Sequence, residues 1–501
     1  MLLLFLAFSR FLSRICGSRA WARGDFLNRF LVNYLALSAV IFGGGTACVS
    51  PAPDAPEAWA GLALPSAFGG GGSSTNIPAG AGWLADFNDA TLNALVREAM
   101  TNNPDLRVTA ARLQTAQANL RIAGADLRPS LTAEAVASRT KRSSSSGFRI
   151  SSSRSYRYSP QLNLAWEWDV WGRLADTRAA ARLDAGEAAA NLHAARLSLA
   201  ANTAKGWFNL AEAELQSQLA GQTLQSYTNN LAVLEEGLQR GLTKALDVQL
   251  MRTSVRNAEN AVHLRLRLRD GARRSLEILL GRYPKGEVAL TSALPTLAAT
   301  VPAGLPAQLL ERRPDVLAAQ NKYLASHRRV NAARKDRLPQ IKLTASTGTS
   351  SDELKDVLDI NNNIWSLAAN LTRPILDGGK IKSQIERAEA QREEARYLYV
   401  QTALQAFAEV ETTLAAEQFL VRQETALRAA VTEAGGAQAL ALEDYQAGLA
   451  DIVTVLESQR RMFDTKRSLL ELQNLRLQNR IDLYLALGGE FTRPETEPNK
   501  E

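Results

Sequence analysis

The sequence predicts an α+β membrane protein built from a duplicated unit, each copy a strand pair joined to a long helical hairpin. Three observations carry that reading. Pro104-Asp105-Leu106 returns as Pro314-Asp315-Val316 and Pro129 as Pro339, 210 residues on; Gly172, Gly241-Leu242 and Leu280-Gly281 return as Gly379, Gly448-Leu449 and Leu487-Gly488, 207 residues on. The glycines are 69 and then 40 residues apart in each copy, intervals far too long for a solenoid repeat. Residues 161–170 alternate apolar and polar with period two, and long proline-free stretches follow each strand pair.

The first 47 residues read as an export leader. They carry Arg10, Arg14, Arg19, Arg23 and Arg29 against Asp25, then an apolar run from Phe30 to Phe42 and the small residues Gly43 to Ala47. Cys48 directly after the expected cut fits covalent lipid attachment; Gly45 stands where such sites usually carry Leu, and ordinary cleavage leaving a free thiol is the other reading. Residues 48–82, rich in Pro, Gly, Ala and Ser, read as a tether. Their Gly69–Gly72 run lacks the Gly-Lys-Ser/Thr of a phosphate loop. Net charge is +7, and about +3 without the leader, so composition offers no footprint for nucleic acid. No later stretch has the 18 or so apolar residues of a spanning helix, so an exported chain that crosses a membrane must do so with strands.

The first copy occupies residues 83–283. Leu92, Leu95 and Val96, then Leu106, Leu113, Leu120 and Leu127, have helical spacing, and Pro129 ends that helix. A strand is expected from Leu131 to Ser138, a polar loop over 140–154, and a second strand over 161–170. On the latter, Leu162, Leu164, Trp166, Trp168 and Val170 share one face, and Gln161, Asn163, Ala165, Glu167 and Asp169 the other. A barrel strand would turn the apolar face to lipid, with Trp at the interface. From Gly172 to Gly241 the chain predicts one helix of about 100 Å. Leu224, Tyr227, Leu231, Leu234 and Leu238 form its seam, answered on a returning helix by Val248, Met251, Val255, Ala258 and Val262.

A Pro-studded connector, residues 284–306, leads to the second copy, 307–489, and a polar tail, 490–501. A helix over 307–337, strands over 341–347 and 364–371 and a polar loop over 352–363 are expected there. A second long helix follows, with Tyr397, Val400, Leu404 and Phe407 as its seam, turning back at Gly448. Each copy thus supplies two strands of about ten residues, four per chain. Closed membrane barrels need about eight or more, and open edges in lipid leave unsatisfied backbone groups. If those strands enter a membrane the chain must oligomerise, and strand arithmetic alone allows a dimer or a trimer. A return helix of about 60 Å and a pre-strand helix of about 45 Å, laid end to end, match the long helix.

Residues 166–173 (WEWDVWGR), 312–316 (RRPDV) and 371–379 (LTRPILDGG) resemble signature stretches of the outer-membrane factor family, the TolC-like channels, and their OprM/NodT lipoprotein branch. Gly241-Leu242 and residues 445–449 (YQAGL), with Val455-Leu456 and Gln459, resemble that family's hairpin tips; the likeness spans about residues 83–489. It implies a homotrimer in the bacterial outer membrane: a twelve-stranded β-barrel continued by a periplasmic α-helical barrel. It also implies a periplasmic adaptor and an inner-membrane RND transporter as partners. The expected function is a passive, gated conduit for small molecules with no cofactor beyond a lipid on Cys48.

On that reading Arg240, Gly241, Leu242, Gly448 and Leu449 are the adaptor-docking residues, simple helix reversal at the glycines being the plainer alternative. Asp444 and Asp451 are candidates for a gate, because three-fold symmetry would bring three copies of each charge around one axis, with Tyr445 in the closing contacts; a solvated helix face is the other reading. His193, His263 and His327 are scattered without metal-ligand spacing, and no nucleophile motif occurs, so no catalytic or metal site is expected. A type I protein-secretion channel shares this architecture. A periplasmic adaptor lipoprotein shares the lipid signal and one hairpin, but not the whole-body duplication.

Overall fold

The computed structural model describes residues 83–146, 149–289, 293–297 and 312–489. The leader, Cys48, the tether, the tail and most of the connector lie outside them, as does the expected helical stretch 307–311. The chain divides into two compact units. One comprises residues 126–176 and 335–377 and holds the strands; the other, described from residue 83, comprises 83–125, 177–334 and 378–489 and is helical.

The strand unit is one antiparallel sheet in the order β1 (Ser130–Ser146), β2 (Arg149–Trp168), β3 (Gln340–Thr349), β4 (Asn363–Thr372). The second copy's strands have the expected length, 10 residues each. The first copy's do not: β1 has 17 residues and β2 has 20. The expected polar loop over 140–154 is instead paired strand, from Ser130↔Ala165 at the base to Ser146↔Arg149 at the tip. Its Ser- and Arg-rich faces carry no apolar alternation to betray a strand, yet the backbone ladder needs none. β1 and β4 are edges, so the sheet of a single chain is open.

In the helical unit, α1 (Ala90–Asn102) and α2 (Pro104–Ala125) precede the first strand pair. The long arm α3 (Arg173–Gln239) starts in the strand unit and runs on, and α4 (Ala245–Leu279) returns. The second copy repeats this with α5 (Pro314–Lys335), α6 (Lys380–Gln446) and α7 (Ile452–Ala486). Both long arms have 67 residues and both return arms 35. The single pre-strand helix expected in the first copy is broken. Pro104 brings no N–H to α1, and Asn103 restarts the chain by accepting from the N–H groups of Asp105 (2.9 Å) and Leu106 (3.1 Å). Asp89 caps α1 through Thr91 and Leu92 and also accepts from the indole N–H of the fully buried Trp207. The pre-strand arm is therefore 22 residues, about 33 Å, and the return arm about 52 Å, each shorter than expected.

The two short arms do abut end to end. Asn103 Nδ2 donates to the Leu279 carbonyl at 2.9 Å; 210 and 207 residues later, Arg313 donates to the Ala486 carbonyl at 3.1 Å. Gly281 (φ +72°) and Gly488 (φ +87°) follow the return arms, and a Cβ on them would lie 2.7 Å from the Asn102 carbonyl oxygen and 3.2 Å from the Arg312 carbonyl carbon. Glycine is required there for backbone angle and for close approach together.

The first seam is as expected near the turn: Tyr227, Leu234, Val248, Met251, Val255 and Ala258 are buried, although Leu238 is exposed. The second seam is shifted. Tyr397 and Leu404 are exposed, while Tyr399, Ala403, Ala406 and Val410 form the buried row at 4-3-4 spacing. Alanine lets neighbouring helices approach closely, so the row with less apolar bulk is packed inside this chain; of the bulkier row Phe407 packs partly against it, and Tyr397 and Leu404 are left outward.

Candidate functional site

Both hairpin tips are closed by the same device. Gly241 N–H reaches the Leu238 carbonyl (3.0 Å) and Leu242 N–H the Gly237 carbonyl (2.8 Å); Gly448 N–H reaches Tyr445 (3.0 Å) and Leu449 N–H reaches Asp444 (2.8 Å). This is a Schellman closure, with the glycine left-handed at φ +68° and +74°. Leu242 and Leu449, each 80% exposed, are the apolar residues that the turns hold out to solvent. Arg240 is exposed and paired with Glu236 of α3. A Cβ on either tip glycine would meet nothing within 4 Å.

Beneath the turns, the two copies share one apolar cluster. Tyr227, Leu234, Val248, Met251, Val255 and Ala258 of the first hairpin pack with Ile452 and Val455 of the second, and Leu442, Tyr445 and Leu456 lie against them. Of the three gate candidates, this places Tyr445 and Asp451 beside the first tip. Burial raises the Tyr445 phenol above its ordinary value and the Asp247 charge adds to that, partly offset by a hydrogen bond shared with Thr243. Asp451 is held below its ordinary value, chiefly by the N–H and hydroxyl of Thr454 (3.0 Å each) and more weakly by the Lys244 charge. Its carboxylate therefore caps α7. Asp444 is exposed, and its backbone carbonyl serves the turn.

The sheet has two unlike faces. Leu131, Ala133, Leu162, Leu164, Trp166 and Trp168 share one with Ile341, Leu343, Ala345 and, on β4, Trp365, Leu367 and Leu371. Leu131, Trp365, Leu367 and Leu371 are 65–76% exposed in the single chain. The other face is polar: Glu134 accepts from Gln161 (3.3 Å) and Asn163 (3.1 Å), and Glu167 is paired across the register with Lys342 and bonded to Arg173 at 2.8 Å.

The family model for the outer membrane efflux proteins matches residues 95–282 and 305–489, the two copies in turn. The chain belongs to the outer membrane efflux protein family. It is 31% identical to the cation efflux system protein CusC of Escherichia coli O6:H1 over 410 residues, covering 82% of this chain and 88% of CusC. It is 34% identical to the outer membrane protein OprJ of Pseudomonas aeruginosa over 417 residues, covering 81% and 86%. The solved outer-membrane channel OprN shares its fold, with a TM-score of 0.80, 24% identity and coverage of 88% of this chain and 98% of OprN. The protein is thus an outer-membrane channel of an efflux system, with the TolC-like architecture that the resemblance of its motifs implies.

Sequence reasoning missed the ionic clasps of this efflux protein. Arg269 and Arg273 on α4 grip Glu214 of α3 at 3.4 and 3.1 Å. Their counterparts 207 residues later, Arg476 and Arg480 on α7, both grip Glu417 of α6 at 3.0 Å, and Arg476 also holds Glu424 at 2.8 Å. The arginines keep the repeat interval while the acid moves by one helical turn, so the paired arginines were the legible half of the signal. Among the described residues no three His, Cys, Asp or Glu side chains gather as a metal site. No helix among them is long and apolar enough to cross a membrane.

Proposed function

We propose that three copies of this chain form the passive, gated exit duct of a tripartite efflux system. Their twelve strands close into a barrel in the outer membrane, and their helices form a tube in the periplasm. The observation that carries this is the open four-stranded sheet with one exposed apolar face and one polar face. In lipid, such a sheet has to pair its edges with further copies. The outward row of Tyr397 and Leu404 on α6 supports helix packing between copies in the same assembly.

In this reading Leu242 and Leu449, with Arg240 and the turn glycines, dock a periplasmic adaptor that links the duct to a proton-driven RND transporter. Asp444, Tyr445 and Asp451 shape the closed end, and a lipid on Cys48 anchors the chain. Residues 83–283 and 307–489 are the two repeats, joined by 284–306. No catalytic step or cofactor is assigned, since the transporter supplies the work. CusC is a cation efflux protein by name, and small solutes are the cargo proposed here. Cross-linked mass of the membrane-extracted protein, together with drug and metal-ion susceptibility of a deletion strain, tests this. A monomer or dimer, or unaltered susceptibility to every such compound, sinks it.

A further inference from the structure

The first hairpin overhangs the second, and the overhang is basic. Between Glu134 and Glu167 there is no acidic residue, whereas the stretch carries Arg139, Lys141, Arg142, Arg149, Arg154 and Arg157. Among the described residues, Arg139, Lys141, Arg142, Arg154 and Arg157 are exposed and no carboxylate pairs with them. The nearby β3–β4 loop carries Asp352, Glu353, Asp356 and Asp359 against Lys355, which pairs with Glu353.

Register sorts these cations by face. Residues directly paired across an antiparallel ladder share a face, as do residues two apart. Up the apolar face the pairs run Leu131↔Leu164, Ala133↔Leu162, Ala135↔Pro160 and Ala137↔Tyr158, then Arg139↔Tyr156 and Lys141↔Arg154. The guanidinium of Arg139 lies 5.2 Å over the Tyr156 ring. Arg142 and Arg157 fall on the polar face. From Trp168 to Tyr158 is about 33 Å along the strand, or about 25 Å along the membrane normal at a tilt of about 40°, the height of one apolar barrel band between aromatic girdles. The next rows up hold the three cations, at headgroup depth. Lys141 directly opposite Arg154 is a repulsive pair unless an anion lies between them.

We propose that Arg139, Lys141 and Arg154 form a binding surface for the phosphate groups of outer-leaflet lipid, on the lipid-facing side of the β1–β2 hairpin. This rests on the proposed reading that the apolar face meets lipid. The test measures binding of fluorescent diphosphorylated lipid A to the detergent-purified full-length oligomer. Removing each cation is expected to weaken binding about five-fold. Arg139→Ser/Lys141→Ser/Arg154→Ser should therefore lose about a hundred-fold. Arg142→Ser/Arg157→Ser on the other face, and the charge-keeping Arg139→Lys/Arg154→Lys, should stay within about three-fold of the parent. Should the triple variant not assemble, Lys141→Ser alone and a salt titration of the unaltered protein carry the test, with about five-fold weakening and steep salt dependence expected. Equal binding by the triple variant or Lys141→Ser, equal loss from the polar-face variant, salt-insensitive binding, or displacement by inorganic pyrophosphate at equal concentration would each overturn the proposal. Quenching of the tryptophans by brominated lipid chains in the same samples separates the two levels. Absent quenching refutes the membrane face itself, while quenching without cation-dependent binding refutes the phosphate surface alone.

Discussion

Replacing the tip glycines separates docking from folding, because the structure gives their substitution a small and calculable cost. At Gly241 and Gly448 the backbone is left-handed, and nothing lies within 4 Å of the position a Cβ would take. Gly448→Phe and Gly241→Phe therefore incur the strain of one left-handed non-glycine residue, about 1–2 kcal/mol, and their Cβ atoms meet nothing of their own chain. That is little against an assembly whose hairpins are held by the shared apolar cluster under the turns. The new ring projects beside Leu242 or Leu449, where an adaptor would have to seat. Each variant, expressed in a deletion strain, should reach the outer membrane at parental level as the same oligomer yet fail to restore resistance. Oligomer level is read by cross-linking and export by minimum inhibitory concentration. Restored resistance would refute docking at the tips; loss of the oligomer would refute the strain argument.

The other expected outcomes rest on the helical unit. Gly281→Ala combines the same left-handed strain with a Cβ 2.7 Å from the Asn102 carbonyl oxygen; it should destabilise by about 2–5 kcal/mol, seen as a thermal midpoint well below that of Gly241→Ala. Arg480→Met removes a guanidinium that is 3% exposed from the Glu417 clasp and should cost about 3 kcal/mol in denaturant unfolding, with Glu417→Leu/Arg480→Met recovering part of it. Burial pushes Glu212 above its ordinary 4.5 despite hydrogen bonds from Asn474 and Gln216. Its contribution to stability therefore declines as pH rises from 4.5 through the raised value, so Glu212→Gln should match or exceed the parent midpoint at pH 7 and lose that advantage below 4.5. Glu424 runs the other way. Burial would raise it, but Arg476 and Arg428 outweigh burial and hold it low. The stability it lends is present above 4.5 and lost as pH falls through the depressed value, so Glu424→Gln should be weaker than the parent at pH 7 and converge with it in acid.

Sequence reasoning read the backbone devices well and the side-chain pairings poorly. The glycines at 172, 241, 281, 379, 448 and 488 all have positive φ, and a positive φ is a demand that few residues besides glycine meet at low cost, so a repeated interval exposes it directly. The overhanging hairpin escaped because a ladder of serine and arginine has no apolar period, and strand pairing is written in backbone atoms that every residue shares. The α6 seam escaped for a related reason. Hydrophobic spacing marks every buried row, but it cannot say whether a row is buried within the chain or is left outward for another copy; Tyr397 and Leu404 belong to the outward row. The exposed leucines at the tips were visible beside their glycines, whereas the engagement of the Asp451 carboxylate by Thr454 was not.

The two copies also show which parts of the design tolerate change. At the joint between short arms, Asn103 and Arg313 occupy equivalent places and both reach the carbonyl at the end of the return arm, one as a neutral cap and the other as a cation bonded to Asp315 and Glu409. At the tips, Lys244 and Asp451 are equivalent, yet only Asp451 caps its helix through a side chain. At the joint, what the copies share is a donor aimed at the carbonyl end of the return arm and a left-handed glycine after it. The identity and charge of the donor are free to differ, because a helix C-terminus accepts a hydrogen bond from either a neutral amide or a cation. Divergence was therefore open wherever a side chain had only to satisfy a backbone group. It was closed wherever the backbone itself had to turn or touch, and for that reason Gly281 and Gly488 carry the stricter constraint than the residues they pack against.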